Sequence, residues 1–433
     1  MTRIKARLLR GFRDYMPENM LPKQRMLNEV ARTFEAFGFS PLQTPALEYA
    51  ECLLGKYGDE GDKLLYRFKD NGDRDVAMRY DLTVPLARVI GMNSQLTKPF
   101  KRYQIAPVWR AEKPGRGRYR EFMQCDVDII GAPDLMADAE CMMVGCSVLR
   151  NLGIDSFVIR INNRKLLTAM LERFGIKPGE QTMSVLRGID KLPKIGEGKV
   201  RGLLASENGL SEEAIDGIFE FLSLSPDQLA DWFEGSEMGE LGAKELTTVL
   251  TLAEELGISE YVEVDLSIAR GLDYYTGTIY ETFLRADESL GSVMSGGRYD
   301  TLLSMFNGQV TPAVGISLGV DRLLAGLIEM ELLQTQTTPS HVLVGVFSES
   351  ERPLSYRVAA QLREEGLNAE VFPGAPKMKK QLQYANRQGI EYVALVGQSE
   401  YDRGSVLLKS MTTGEQEEVA IEALSARIKG GDK

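Results

Sequence analysis

Apolar residues recur at helical spacing from Met20 to Phe37. Met26, Leu27, Val30, Ala31, Phe34 and Phe37 share one face, which predicts an amphipathic helix. Gly38 ends it, and the proline-marked stretch from Phe39 to Glu48 follows as extended chain. Tyr66 to Asp70 and Asp75 to Tyr80 read as a hairpin around Asn71-Gly72, a dipeptide suited to a tight turn. Thr83-Val84-Pro85 predicts a helix start, with Thr83 as cap and Pro85 in the first turn. Asp81, just ahead of it, reads equally well as a capping acid. From Arg102 to Gly131 the period is two. Tyr103, Ile105 and Val108 lie before a loop. Phe122, Val127, Ile129 and Ile130 lie after it, with Gln124, Asp126 and Asp128 alternating between them, as in half-buried strands. The loop, Glu112 to Arg118, carries the Pro114-Gly115 chemistry of a turn.

Further on, Pro133 to Leu152 is helical by its spacing, and Phe157 to Asn162 is a strand. Leu166 to Gly257 is mostly helical and acidic, with caps at Ser211 and Ser225. Val262 to Ile268 alternates as a strand, and Thr311 to Leu324 runs as a strand through glycines into a helix. The polar stretch QTQTTPS, residues 334–340, predicts a linker. After it, strands (342–346, 369–372, 392–396) alternate with helices (355–365, 379–388), which predicts a small α/β domain with a largely parallel sheet.

Composition narrows the chemistry. With 43% hydrophobic and 26% charged residues over 433 positions, the chain reads as a globular protein of two or three domains. No apolar run approaches the roughly 20 residues that span a bilayer, and MTRIKARLLRGFRD lacks a signal-peptide core, so a cytoplasmic protein without a membrane partner is expected. Cys52, Cys125, Cys141 and Cys146 form no CxxC pair, and His341 is the single histidine. Neither a disulfide framework nor a structural metal is expected, and a histidine relay would have to use His341. Arg, Lys, carboxylates and bound metal must then carry the chemistry. The net charge of -11 argues against indiscriminate nucleic-acid binding but leaves local basic patches open.

One such patch stands out. Lys98, Lys101, Arg102, Arg110, Lys113, Arg116, Arg118 and Arg120 face one acid, Glu112, between positions 98 and 120. A solvated basic hairpin and a phosphate-binding hairpin both fit that charge run. The string RGRYREF, followed by Gln124 and Asp128, resembles motif 2 of the class II aminoacyl-tRNA synthetases, in the form of the histidyl-tRNA synthetase family. The helix leading to Pro45 resembles motif 1, and Pro312 to Arg322 resembles motif 3. Arg270-Gly271-Leu272-Asp273-Tyr274-Tyr275 and Ser295-Gly296-Gly297-Arg298-Tyr299-Asp300 resemble the two signatures of the histidyl family.

The resemblance implies an α+β fold. An antiparallel-sheet catalytic domain (residues 1–165 and 258–333) would carry a helical insertion (166–257). The linker (334–340) would lead to an α/β anticodon-binding domain (341–427). It also implies a homodimer that joins L-histidine to ATP with Mg²⁺ and passes the histidyl group to histidine tRNA. Arg270 and Arg110 are the implied catalytic residues. Histidine would be held by Asp81, Leu82, Thr83, Arg110, Gln124, Asp128, Arg270, Tyr274, Tyr275 and Tyr299. Arg110, Glu112, Arg118, Phe122 and Arg322 would bind ATP, with Phe122 and Arg322 about the adenine. Lys113 and Arg116 are the candidate tRNA contacts. Two departures stand out: Asp81 and Asp128 stand where many bacterial members carry Glu, and the Lys113-Pro114-Gly115-Arg116 loop differs from the commoner bacterial version. The competing readings are a catalytically inactive synthetase-like regulatory subunit of histidine biosynthesis and a non-enzymatic module that senses uncharged tRNA.

Overall fold

The computed structural model describes residues 4–56, 61–176, 179–269, 274–333 and 335–431. Arg270, with Gly271, Leu272 and Asp273, lies outside the described residues. The chain forms two compact units, one of Met1–Arg13 with Arg25–Leu332, the other of Asp14–Gln24 with Leu333–Lys433.

The first unit is built on an eight-stranded sheet. Its order is Ser40–Pro41, Phe100–Trp109, Glu121–Ile130, Ala313–Gly319, Met294–Arg298, Thr278–Leu284, Phe157–Asn163, Val262–Val264. Only the outermost pairings are parallel; all between are antiparallel. Phe100–Trp109 and Glu121–Ile130 form a long hairpin whose register sets Arg102 opposite Asp128, Gln104 opposite Asp126 and Ala106 opposite Gln124. The expected strand over 262–268 stops at Val264. Asp265 ends it by accepting the Ser267 amide at 3.0 Å, an Asx turn.

The hairpin corrects the simplest reading of its alternation. Arg102, Gln104, Gln124, Asp126 and Asp128 are buried, and on the second strand Cys125, Val127 and Ile129 are buried with them, so both of its faces are covered; on the first strand Tyr103 and Ile105 are only partly covered. The polar face of these strands points inward. Burying so many polar groups is costly unless they pair with one another or with a ligand, so this face marks where to look for the site.

A small three-stranded sheet, Leu47–Tyr49, Asp75–Met78 and Arg67–Lys69, lies in the same unit. The helix Met136–Asn151 packs on the large sheet and buries Cys141, Met142, Cys146 and Leu149. From Arg164 to Glu255 every element is helical. Ser211 and Ser236 cap two of those helices, each hydroxyl accepting the amide three residues on at 3.2 Å. Phe174, Phe221, Trp232 and Phe233 form an aromatic cluster inside this stretch.

The second unit carries a five-stranded sheet in the order Ala369–Val371, Val342–Gly345, Tyr392–Leu395, Ser405–Ser410, Gln416–Ala420. The first three strands are parallel, as the strand and helix alternation predicts. The last two are antiparallel and correct the expectation of a largely parallel sheet. Their hairpin turns at Gly414, whose φ of 79° is one that L side chains rarely adopt.

Candidate active site

The site begins where the hairpin leaves the sheet. Arg110 continues the ladder, its amide donating to the Arg120 carbonyl at 2.9 Å. Its side chain is then fixed from two sides. Nε donates to the Tyr80 carbonyl at 3.0 Å, and the guanidinium lies 4.3 Å from the Tyr80 ring centre and 5.2 Å from that of Phe122. Glu112 pairs with Arg118 across the loop. Gly117, at a φ of 60°, brings the loop against Arg322, leaving 3.3 Å between Arg322 Cγ and the place a Cβ would take. Arg322 stands in the first turn of the helix Val320–Glu329, where its Nη1 donates to the Ser292 carbonyl at 2.6 Å. Its neighbour Asp321 is buried and accepts the Met123 amide at 2.5 Å, so the helix start is pinned to the hairpin. These parts line a solvent-open cavity of about 160 Å³. Arg110, Glu112, Arg118, Phe122, Gln124 and Arg322 all line it. Three arginines beside two carboxylates, Glu112 and the buried Asp321, suit a polyanion with a flat, stackable group.

A layer of buried polar groups lies beside this cavity. Asp81 accepts the Val84 amide at 3.0 Å through one oxygen and the Tyr274 hydroxyl at 3.4 Å through the other. Asp81, not Thr83, therefore caps the helix Thr83–Met92; its carboxylate reaches the amide three residues on, and Thr83 is already the first helical residue. The neighbouring Leu82 is fully buried, and its carbonyl accepts from Arg102 at 3.2 Å. Arg102 is itself 0% exposed and faces Asp128 at 2.7 Å. Asp128 also accepts from the Tyr299 hydroxyl. Burial pushes the Asp128 carboxyl above its usual range, against the pull of Arg102 and Tyr299. Tyr274 packs edge-on against Tyr275 and Tyr299, and burial raises the Tyr275 phenol well out of its ordinary range.

Glycines let the strands come this close. A Cβ on Gly315 would sit 2.2 Å from Asp128 Oδ1, and one on Gly296 would sit 2.1 Å from the Gly315 carbonyl. The glycines that read as close-packing residues in the sequence thus hold a carboxylate in place.

The structure brings together Asp81, Leu82, Asp128, Tyr274, Tyr275 and Tyr299 in the buried layer, with Thr83 beside them on the helix that Asp81 caps. Arg110, Glu112, Arg118, Phe122, Gln124 and Arg322 gather about the cavity. The loop residues separate from them. Lys113 is exposed, and Arg116 is turned to Asp287 at 2.8 Å, Ser289 at 3.3 Å and Glu329. No group of three His, Cys, Asp or Glu side chains arranged for a metal ion occurs among the described residues. Sequence reasoning missed Arg102, Asp126 and Ser317. The signal was available in the register, which sets Arg102 opposite Asp128 and Asp126 opposite Ser317.

Comparison with known proteins adds an independent line. The family model described as "Histidyl-tRNA synthetase" matches residues 11–323, and one described as "Anticodon binding domain" matches residues 341–430. A "Histidine--tRNA ligase" from Wolinella succinogenes is 46% identical over 99% of both chains. Another from Rhodopirellula baltica is 43% identical over 96% of both. A histidyl-tRNA synthetase crystal structure from a Nostoc species superposes with a TM-score of 0.88 at 36% identity, covering 99% of this chain and 100% of that one. A Bacillus halodurans structure titled "ATP phosphoribosyltransferase regulatory subunit/histidyl-tRNA synthetase" shares the fold with a TM-score of 0.74 at 23% identity, covering 90% and 97%. Fold alone therefore does not separate enzyme from regulatory subunit. The relatives at higher identity run the full length of the chain, and with the matched motifs they decide the matter of kinship: this chain belongs to the histidyl-tRNA synthetase family.

Proposed function

We propose that the chain activates L-histidine with ATP, forming histidyl-adenylate and pyrophosphate, and transfers the histidyl group to the 3′ end of histidine tRNA. The observation that carries this reading is the arginine-lined cavity set against a buried layer of carboxylates and tyrosines. The full-length kinship with proteins named "Histidine--tRNA ligase" supports it and weighs against the inactive regulatory alternative. The anticodon-binding match over 341–430 supports histidine tRNA as partner.

The chemistry follows from charge. The substrate carboxylate is already an anion, so attack on the α-phosphate needs alignment and charge neutralisation more than a base. Arg110 is assigned to the α-phosphate and the carboxylate, Phe122 and Arg322 to the adenine, and Arg118 with Arg322 to the distal phosphates. Arg270 is assigned as a second catalytic cation. The cavity's donor set is mostly arginine, which suits phosphate oxygens better than a bare cation. Glu112 is assigned to the nucleotide, and Mg²⁺ brought with ATP would supply further neutralisation of phosphate charge. Asp81, Thr83, Gln124, Asp128, Tyr274, Tyr275 and Tyr299 are assigned to histidine, with the backbone at Leu82. A pocket that hydrogen-bonds its substrate rejects analogues that leave its buried groups unpaired. Lys113 and Arg116 are assigned to the tRNA, which would draw Arg116 from Asp287 and Glu329.

The domain division proposed is a catalytic part (1–165 and 258–333), an insertion (166–257), a linker (334–340) and an anticodon-binding part (341–427), acting as a cytoplasmic homodimer. Leu47, Tyr49 and Phe68 expose apolar side chains on one face of the small sheet, as a surface for a second copy would.

The test is ATP–pyrophosphate exchange with each amino acid in turn, beside an Arg270→Ala control. Exchange with histidine alone, lost in the control, is the expected result. No exchange with any amino acid, from protein shown to be folded, would overturn the enzyme reading. In the same assay Gly315→Ala, which drives a methyl into Asp128, should raise the histidine KM by about tenfold, the ~1.4 kcal/mol of one good contact. The ATP KM should stay near that of the parent; a parallel rise in both would mean that the strand had moved as a whole.

A further inference from the structure

We infer that Asp126 and Ser317 form a positioning relay that holds the Gln124 amide with its oxygen toward the pocket, so that this position recognises a donor N–H on the amino-acid substrate. The inference deepens the histidine-activation reading and rests on it.

The register supplies the placement. Asp126 and Gln124 lie two residues apart on one strand, on its buried face, and Ser317 of the adjoining strand stands opposite Asp126. Gln124 Nε2 donates to Ser317 Oγ at 2.7 Å. Ser317, directly opposite Asp126, also acts on that carboxylate and favours its ionised form. A hydroxyl has one proton to give. An ionised Asp126 can only accept, so it takes that proton and leaves Ser317 Oγ as the acceptor for Gln124 Nε2. The amide oxygen is thereby turned away from Ser317. Gln124 is 8% exposed and Asp126 3% exposed, and Gln124 Oε1 and Asp126 Oδ1 are buried without a hydrogen-bond partner among the described residues. A buried acceptor without a donor is costly. Gln124 and Ser317 both line the cavity, so a ligand N–H is the group that satisfies the amide oxygen. L-Histidine brings such donors in its ammonium and its imidazole. With the amide reversed, its NH₂ would face the pocket and repel the same groups.

The charges about Asp126 set when the relay holds. Arg102 faces it from the neighbouring strand, Asp128 lies on its own strand, and Asp81, Arg79 and Tyr275 act on it from the surrounding elements. Burial raises its carboxyl to about 7, against the pull of Arg102. A protonated Asp126 can donate to Ser317, which frees the Ser317 proton for Gln124 and releases the amide. Histidine recognition should therefore weaken as pH falls through about 7, while ATP recognition should not.

The experiment is pyrophosphate exchange from pH 6 to 9, with the KM for histidine and for ATP measured separately. Ser317→Ala and Asp126→Asn are expected to raise the histidine KM about tenfold, a change of about 1.4 kcal/mol, with the ATP KM within about twofold. Ser317→Thr, which keeps the hydroxyl, should restore the parent value, and the inflection near pH 7 should vanish in Asp126→Asn. If Asp126→Asn fails to fold, the Ser317→Ala and Ser317→Thr pair carries the test alone. An unchanged histidine KM in Ser317→Ala, or an equal rise for histidine and ATP, overturns the relay while leaving histidine activation intact. No histidine-dependent exchange in the unmodified protein overturns the parent reading and this inference with it.

Discussion

Replacing Arg110 with alanine is expected to lower kcat/KM for histidine-dependent pyrophosphate exchange by about 10²–10³-fold, the loss that follows removal of one preorganised donor, ~3–4 kcal/mol. The argument is one of preorganisation. Arg110 is held by the Tyr80 carbonyl and by the Tyr80 and Phe122 rings before any ligand arrives. It therefore pays little to reorient when charge builds on the phosphate. Arg110→Lys should recover only a small part. An ammonium lacks the planar fork and the flat face that meet those two rings. Because Arg110 is only partly buried and forms no buried ion pair among the described contacts, unfolding by denaturant should change by about 1 kcal/mol, far less than the effect on activity. Activity within about threefold of the parent would remove Arg110 from the catalytic assignment.

Much of the framework is legible in the sequence because it rests on local rules. The helix Met136–Asn151, the hairpin turned at Asn71-Gly72 and the alternating strands and helices after the linker follow from periodicity and turn chemistry. What escapes those rules is the inward direction of charge. Arg102 reads as one member of a basic run, Arg298 only as part of a signature, and Arg79 carries no reading of its own. In the fold Arg79 is buried and donates to the carbonyls of Thr44 at 2.7 Å and Pro107 at 2.9 Å, tying the extended segment Phe39 to Glu48 to the hairpin. Arg102 closes a buried pair whose partner lies 26 positions away, at a distance that only the strand register reveals. Period-two alternation states that one face differs from the other, not which face is buried; on the first strand hydrophobicity favours Tyr103 and Ile105 and the site reverses the choice, while the second strand is buried on both faces. The antiparallel pair at Ser405–Ser410 and Gln416–Ala420 was missed for a plainer reason, that two short strands about a turn carry a weak signal beside a strong strand and helix alternation. Of the candidate site, the motif residues were legible one by one, whereas the links between them were not. Those links, Tyr299 to Asp128, Tyr274 to Asp81 and Gln124 to Ser317, cross between segments that are distant in sequence.

Arg298→Met is expected to destabilise the full chain by about 3–5 kcal/mol, the usual cost of stripping a buried charge of its partner. Arg298 sits at the end of the strand Met294–Arg298 inside a family signature, yet its contacts are structural. It pairs with Asp138 and reaches Asp300 at 3.4 Å, and it donates to the carbonyls of Ala132 at 3.2 Å and Asp134 at 3.1 Å. These contacts fasten the start of the helix Met136–Asn151 to the sheet. Asp138 is 0% exposed, and burial already pushes its carboxyl upward while Arg298 pulls it back. Without Arg298 the pKa of folded Asp138 rises further above the unfolded value near 3.8. The variant then binds more protons folded than unfolded, so its stability falls as pH rises from that value to the new folded pKa. The loss relative to the parent should thus be smaller at pH 5 than at pH 8. Denaturant unfolding at the two pH values, followed by near-ultraviolet circular dichroism, reads this directly. Arg298→Met combined with Asp138→Leu should recover a large share of the stability, because an apolar pair replaces a charge left alone. If the double variant is as unstable as the single one, the fastening lies in the carbonyls of Ala132 and Asp134 rather than in the ion pair. Those carbonyls would then be the reason an arginine, with five donors, stands at this place in the signature.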